Sequence, residues 1–453
     1  MTSTTPSVTI AQTSMRTFVA RLIVTVLSVV TGIVAAKWLG PIGKGAYSGT
    51  IMLVSIAMVA PAGISTAITY ALTKQRRDLS ELLPSAGVLL LLISALTWIG
   101  ALAWGLLRGW NPVLSIFVAA VPPSIVLSWQ GGLYVGLGRL RNLNVQSVAL
   151  ALATLLAVLA VVSVFHGSAI SALWAWVVCL YGAAFVVIWH VFTLSRRRSR
   201  ALPVGQITSG LVRFGTQSSV NLFLGAVNYR IDSIILIALM GTATFGIYSI
   251  AVGFGEQLFS LTRPITAAIS RDIGINDATA SAAITAKVIR TCTALVAVVS
   301  VVAFVFGPWL IDAVYGTRFR DAAIPLRILI PGIVAFSTAG TFAAFFILQV
   351  GKPLVISVVN LAMIVVQALM CFALVPRFGM SGAAFASSIT YVCGALMNTA
   401  WFCRMTRTSF WDVWIVRPND IEAVRRGMLE SVDFAARRLR PRTAQGATRS
   451  DAR

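Results

Sequence analysis

The residues with the most chemical capacity are polar groups set inside long apolar runs. Arg230 and Asp232 lie near the middle of one such run, beside Asn228 and Tyr229, and Glu256 lies in the next. A charge near the centre of a bilayer costs about 2.5–3.5 kcal/mol on insertion scales, so it faces a partner or a wet cavity. A carboxylate and a guanidinium there can pair with each other or line water. On a helix turning about 100° per residue, Gln217, Asn221, Asn228 and Asp232 fall within about 60°, while Arg230 points nearly opposite. A bend near Gly225 would reconcile the two directions. In the next run Ser249, Glu256, Ser260 and Arg263 are spaced 7, 4 and 3 apart, again one face. Near the N-terminus Thr17, Arg21, Thr25, Ser28 and Gly32 share a face, with Arg16 at its mouth. Two readings stay open. Either the three faces line one cavity, or they make interhelical hydrogen bonds with an ion pair from Arg230 to Asp232 or Glu256.

Other chemistries find no support. Gly43-Lys44-Gly45 lacks the upstream glycine and the hydroxyl of a phosphate-binding loop, and no G-x-S-x-G or HExxH occurs. The five cysteines all sit in apolar runs without CxxC spacing, which reads as apolar packing. His166 reads as a loop residue and His190 as an interface residue. The expectation is a protein that is not an enzyme and uses no metal or cofactor.

The elements that must position these residues are membrane helices. Of 453 residues, 58% are hydrophobic and 11% charged, with a mean hydropathy of +0.87. A soluble globular domain carries about 25% charged residues. Apolar runs long enough to span occur near 17–38, 47–72, 84–107, 113–137, 144–165 and 170–193, then 212–240, 246–269, 287–310, 326–349, 353–376 and 382–404. The fold class is therefore all-α integral membrane, with twelve transmembrane helices in two six-helix lobes.

The net charge of +22 would suggest nucleic acid as a partner, but its distribution does not. Lys37, Lys44, Arg108, Arg318, Arg320, Arg327 and Arg377 fall in outer loops and Arg230 within a span; the other Lys and Arg fall on one side, read as cytoplasmic. Both termini belong to that side. The basicity is topological, and no nucleic acid is expected.

An internal repeat divides the chain. Leu39-Gly40-Pro41 through Gly45-Ala46-Tyr47-Ser48 recurs as Met240-Gly241-Thr242 through Gly246-Ile247-Tyr248-Ser249, offset by 201. Gly138-Arg139 returns as Gly351-Lys352, and Phe165-His166-Gly167-Ser168 as Phe378-Gly379-Met380-Ser381, both offset by 213. Two parallel repeats related by an axis along the membrane normal are a transporter arrangement. The basic linker from Ser195 to Arg200 separates an N-terminal lobe, 1–203, from a C-terminal lobe, 204–404. A basic cytoplasmic tail, 405–453, holds the aromatic patch Phe410–Val416 and a mixed apolar and basic stretch from Ile421 to Arg438; two readings stay open, an interfacial helix or a solvated basic tail.

These motifs resemble those of Wzx-type oligosaccharide flippases, the polysaccharide biosynthesis or export proteins of the multidrug/oligosaccharidyl-lipid/polysaccharide exporter superfamily. The first-loop motif and Tyr229-Arg230-Ile231-Asp232 with Phe245-Gly246-Ile247-Tyr248-Ser249 carry the resemblance. So do Phe319-Arg320-Asp321 leading to Pro331-Gly332, and Pro376-Arg377-Phe378-Gly379 leading to Ala384; together they span about 16–404. The resemblance implies two lobes around a cationic cavity in the cell inner membrane. It implies a polyprenyl-diphosphate-linked oligosaccharide as cargo, moved from inner to outer leaflet beside polysaccharide polymerase or ligase machinery. Arg230, Arg21, Arg16 and Arg263 would meet the diphosphate with Asn228, Tyr229, Asn221 and Gln217, while Asp232 and Glu256 would couple to a proton or sodium ion. The alternatives are a MATE-type cation-coupled antiporter of drugs or organic cations, a lipid II-type flippase, and a membrane scaffold acting through the basic tail.

Overall fold

The computed structural model describes residues 6–73, 79–195, 212, 219–220, 222–352 and 354–415. Its first half contains helices α1 (Pro6–Ala57), α2 (Val59–Thr73), α3 (Leu79–Arg108), α4 (Pro112–Gly136), α5 (Leu140–Leu159) and α6 (Ala169–Ser195). A helical stretch at 222–228 leads through a turn at Tyr229 and Arg230 into α7 (Ile231–Ser260). Helices α8 (Arg263–Ile275), α9 (Ala278–Tyr315), α10 (Ala323–Phe336), α11 (Ala339–Ala344), α12 (Leu354–Thr406) and α13 (Phe410–Trp414) complete the chain.

Nine helical stretches among the described residues are long and apolar enough to cross a membrane. Three are double. α1 is broken at Gly40 (φ 64°, ψ −175°), α7 at Gly241 (φ 80°, ψ 178°) and α12 at Gly379 (φ 56°, ψ −133°). Dividing them at those glycines gives twelve helical pieces; the piece before Gly241 is only the end of the expected span 212–240, and the expected span 47–72 is divided between the second leg of α1 and α2. Gly40 breaks because Pro41 pushes its predecessor out of the α region, and only glycine takes positive φ with extended ψ cheaply. Gly241 adopts nearly the same angles with Thr242 behind it, so the glycine suffices. Exposed apolar side chains such as Leu106 (79% exposed), Leu107 (81%) and Val178 (68%) face outward, as a lipid-facing surface requires. The protein is an all-α, multi-pass membrane protein.

The repeat is written into the backbone. Gly40 pairs with Gly241 (φ 64° and 80°), Gly109 with Gly316 (87° and 91°), Gly138 with Gly351 (68° and 69°), and His166 with Gly379 (48° and 56°). Arg407 is the only other positive-φ residue among those described.

The helices pack into two compact units. The first comprises Met1–Gln257, Val302–Ile333 and Pro353–Gly394. Within it α4 is the hub: Val121, Ile125 and Trp129 join α2 and α3 in one apolar core, while Ile116 and Ala120 join α1, α5 and α6 in another. The α2–α4 contact depends on Gly132, whose amide donates to Ser65 Oγ at 2.8 Å. A Cβ on Gly132 would stand 2.1 Å from the Ser65 carbonyl oxygen. Trp129 Nε1 donates to the Pro61 carbonyl at 2.9 Å.

The same unit holds a contact between repeat equivalents. A Cβ on Gly45 would lie 1.8 Å from Thr242 O, and a Cβ on Gly246 would lie 2.0 Å from Pro41 O. Thr242 is the repeat partner of Pro41 as Gly246 is of Gly45, so the two approaches mirror each other.

The second unit comprises Leu258–Val301, Val334–Lys352 and Ala395–Arg453. Phe402 packs edge-on against Phe342 and Phe345. Thr262 Oγ1 donates to Ser337 O at 2.8 Å. The aromatic patch of the tail is docked: Val413 is fully buried, Trp414 Nε1 donates to Thr399 Oγ1 at 3.1 Å, and the buried Arg290 donates to Asp412 O. The stretch Ile421 to Arg438 lies outside the described residues.

Candidate functional site

A cavity of about 650 Å³ opens within the first unit. Its wall takes Ser28, Thr31 and Gly32 from the first leg of α1, and Lys44, Tyr47, Ser48, Ile51 and Ser55 from the leg beyond Gly40. The 3.6-residue period sets both stripes on inward faces. Gln130 comes from α4, Gln146, Ser147 and Thr154 from α5, and Trp176 from α6; Arg230 and Glu256 close the wall. A smaller cavity of about 240 Å³ shares Ser28, Gly32, Lys44 and Glu256 and adds Ser249 and Tyr315.

The charged residues described on these walls are Lys44, Arg230 and Glu256. Arg230 Nη2 meets Glu256 Oε1 at 2.6 Å, so these two charges cancel. Arg230 therefore takes Glu256, of the two carboxylates the sequence allowed it. The helix is interrupted by a turn at Tyr229 and Arg230, while residues 222–228, around Gly225, are helical. Lys44, read from the sequence as an outer-loop residue, is instead 8% exposed and on the cavity wall. Its Nζ lies over Gly32, 3.5 Å from where a Cβ there would be. It has no hydrogen bond or ion pair among the described residues.

Polar side chains continue away from the wall as a chain. Gln130 Nε2 donates to Gln146 Oε1, Gln146 Nε2 donates to Tyr134 OH at 3.1 Å, and Tyr134 OH meets His190 Nδ1 at 2.7 Å. His190 is thus half-buried and joined to α4 by this hydrogen bond.

Asp232 occupies a separate, buried setting at 2% exposure and is not on either cavity wall. Its Oδ1 accepts from the Ser233 amide at 2.6 Å; its Oδ2 accepts from Tyr248 OH at 2.6 Å and Ser387 Oγ at 2.8 Å. Gln367 Nε2 donates to Ser387 Oγ at 2.9 Å. All of these donors are neutral. Asn228 Oδ1, Ser233 Oγ, Gln367 Oε1 and Thr390 Oγ1 are buried without partners. A carboxylate held by neutral donors can accept a proton or a small monovalent cation without displacing a salt bridge.

The other candidates are scattered. Asn228 is fully buried, its Nδ2 3.7 Å from Met363 Sδ, and the ring of Tyr229 lies 6.4 Å from that of Tyr391. Arg16 and Arg21 are exposed on α1 and absent from both walls, and Arg263 is exposed at the start of α8 in the second unit. Gln217 and Asn221 lie outside the described residues. Lys44, Gln130 and Gln146 were not anticipated. The repeat carried a signal for Lys44, because it maps onto Phe245, a residue inside an apolar run and 3% exposed. Gln130 and Gln146 carried none beyond being amides within spans.

No protein-family model and no curated protein matches this chain. Solved structures do match in fold. The inward-facing conformation of a multidrug resistance MATE family transporter of the MOP superfamily has a TM-score of 0.72 at 14% identity, over 87% of this chain and 98% of that one. The lipid II flippase MurJ, in an inward closed conformation, has a TM-score of 0.66 at 11% identity, over 89% of each chain. A MOP superfamily transporter from Pyrococcus furiosus, described by a reverse polarity of its binding pocket that suggests a different function, has a TM-score of 0.59 at 13% identity, over 88% of this chain and 95% of that one. The chain has the fold of these membrane transporters.

Proposed function

We propose that this protein is a flippase that carries a polyprenyl-diphosphate-linked oligosaccharide from the inner to the outer leaflet of the cell membrane by alternating access. One observation carries the reading: with Arg230 and Glu256 cancelled at 2.6 Å, Lys44 leaves the described cavity wall with a net positive charge. A net positive, hydroxyl- and amide-rich wall favours an anionic, hydrated cargo and disfavours an organic cation. The diphosphate would seek the cation and the sugars would pass through water, while the polyprenyl chain stays in the bilayer. The two lobes, 1–203 and 204–404, would rock about the repeat axis, with both termini in the cytoplasm.

Coupling falls to Asp232, where a proton or sodium ion would exchange against the neutral donors Tyr248 and Ser387. Glu256 can take part only by releasing Arg230. The superfamily fold is equally compatible with a drug antiporter, and lipid II is a diphosphate cargo of related chemistry. The cavity's sign favours the anionic cargoes of the three. The protein would hand its cargo to polysaccharide polymerase or ligase machinery.

The test is deletion of the gene in its own host, with lipid-linked oligosaccharide and surface glycan measured by mass spectrometry. The expected result is accumulated membrane precursor and lost surface polymer. Intact polymer, no precursor and greater sensitivity to cationic drugs would overturn the reading in favour of the antiporter.

A further inference from the structure

We infer that Lys44, and not Arg230, is the cation that receives a phosphoryl group in the cavity, with the hydroxyls of Ser28 and Ser48 as its companion donors. The inference deepens the proposed function and rests on it only for the diphosphate as natural cargo.

Lys44 is 8% exposed and makes no ion pair or hydrogen bond among the described residues. A buried charge without a partner is costly and is kept where a cavity or ligand compensates it. Lys44 lies where the two cavities share their wall. Its Nζ lies 3.5 Å from where a Cβ of Gly32 would stand, and Gly32 itself lines both cavities. Arg230 is already matched by Glu256 at 2.6 Å, so an anion would have to displace a carboxylate to reach it.

The choice of companions comes from helix spacing. Ser28 stands one turn before Gly32 and Ser48 one turn after Lys44, and residues four apart are neighbours on a helix face. Both serines line the larger cavity, and neither hydroxyl has a partner among the described residues. One strong point charge with two free hydroxyls suits a phosphoryl oxygen set.

The experiment uses the full-length protein in phosphatidylcholine nanodiscs, with inorganic pyrophosphate as the probe and isothermal titration calorimetry as the readout. Lys44→Gln is expected to weaken binding about tenfold or more, and Lys44→Arg to stay within about threefold. Each variant is first checked for an unchanged melting profile; Ser48→Ala, expected to weaken binding about threefold, stands in if Lys44→Gln misfolds. Equal binding by the wild type and Lys44→Gln would overturn the inference, as would no binding by the wild type at millimolar pyrophosphate. A second arm replaces part of the lipid with phosphatidylglycerol. Competition assigns the phosphoryl group to a lipid headgroup, and its absence assigns the site to a diphosphate; either supports Lys44. Lys44-dependent binding without precursor accumulation on gene deletion would keep this site and sink the glycolipid reading. The reverse pair of results would keep the flippase and sink Lys44.

Discussion

Gly45 and Gly246 are repeat equivalents, and each presses its bare Cα against a backbone carbonyl of the other half. The distances a Cβ would have, 1.8 Å to Thr242 O and 2.0 Å to Pro41 O, leave no room for a methyl group on either residue. The two repeats are therefore in backbone contact beside Lys44, and under the proposed alternating access this contact would part and re-form.

Gly45→Ala or Gly246→Ala is accordingly expected to cut export about tenfold or more, because overpacking of this kind costs about 1–3 kcal/mol. Gly100→Ala and Gly182→Ala are the controls, since a Cβ there meets nothing within 4 Å. The check is surface glycan per unit of membrane-resident protein. Normal export by both Gly45→Ala and Gly246→Ala would show that the contact is incidental.

Removing Asp232 should be felt in stability and coupling together. In Asp232→Asn an amide would face donors from Ser233, Tyr248 and Ser387, a mismatch worth about 1–3 kcal/mol. Tyr248→Phe removes one donor and should be milder. A lowered thermal midpoint in detergent for both, with ion-dependent transport lost only in Asp232→Asn, is the expected pattern.

The Arg230–Glu256 pair is partly exposed, at 28% and 44%, so its own contribution to stability is small, about 0–1 kcal/mol. Its larger effect is on cavity charge. Glu256→Gln should release Arg230 and strengthen pyrophosphate binding, increasingly so at low ionic strength. Unchanged affinity at all salt concentrations would mean that Arg230 does not reach the cavity's anion.

Truncation should separate the docked part of the tail from the residues beyond Ile415. Ending the chain after Ile415 keeps Val413, Trp414 and the Asp412 carbonyl in place and is expected to leave stability intact. Ending it after Thr406 strips an acceptor from buried Arg290 and uncovers Thr399, with an expected loss of about 1–3 kcal/mol. Thermal unfolding of the two purified truncations makes the comparison.

The spans were legible because a membrane helix must be apolar over about 20 residues, a constraint read directly from composition. The breaks at Gly40 and Gly241 were legible through the repeat. Pairing was not. Whether Arg230 chose Asp232 or Glu256 depends on how separate spans lie together, and hydropathy carries no such information. Lys44 was misplaced for a definite reason: a lysine three residues after Gly40-Pro41 looks like loop, although the helix resumes at once and turns that residue inward. Tyr248 was legible as a motif member but not as the donor to Asp232, because Ser387 and Gln367 complete that site from a different helix.

His166 holds φ 48° where its repeat counterpart, Gly379, holds φ 56°. The left-handed region costs an L side chain about 1–2 kcal/mol that glycine does not incur. The two copies of the repeat are thus unequal, one relaxed and one carrying local backbone strain. Selection for thermal tolerance on a library randomised at position 166 should enrich glycine and asparagine, while the same library at position 379 should return the starting residue.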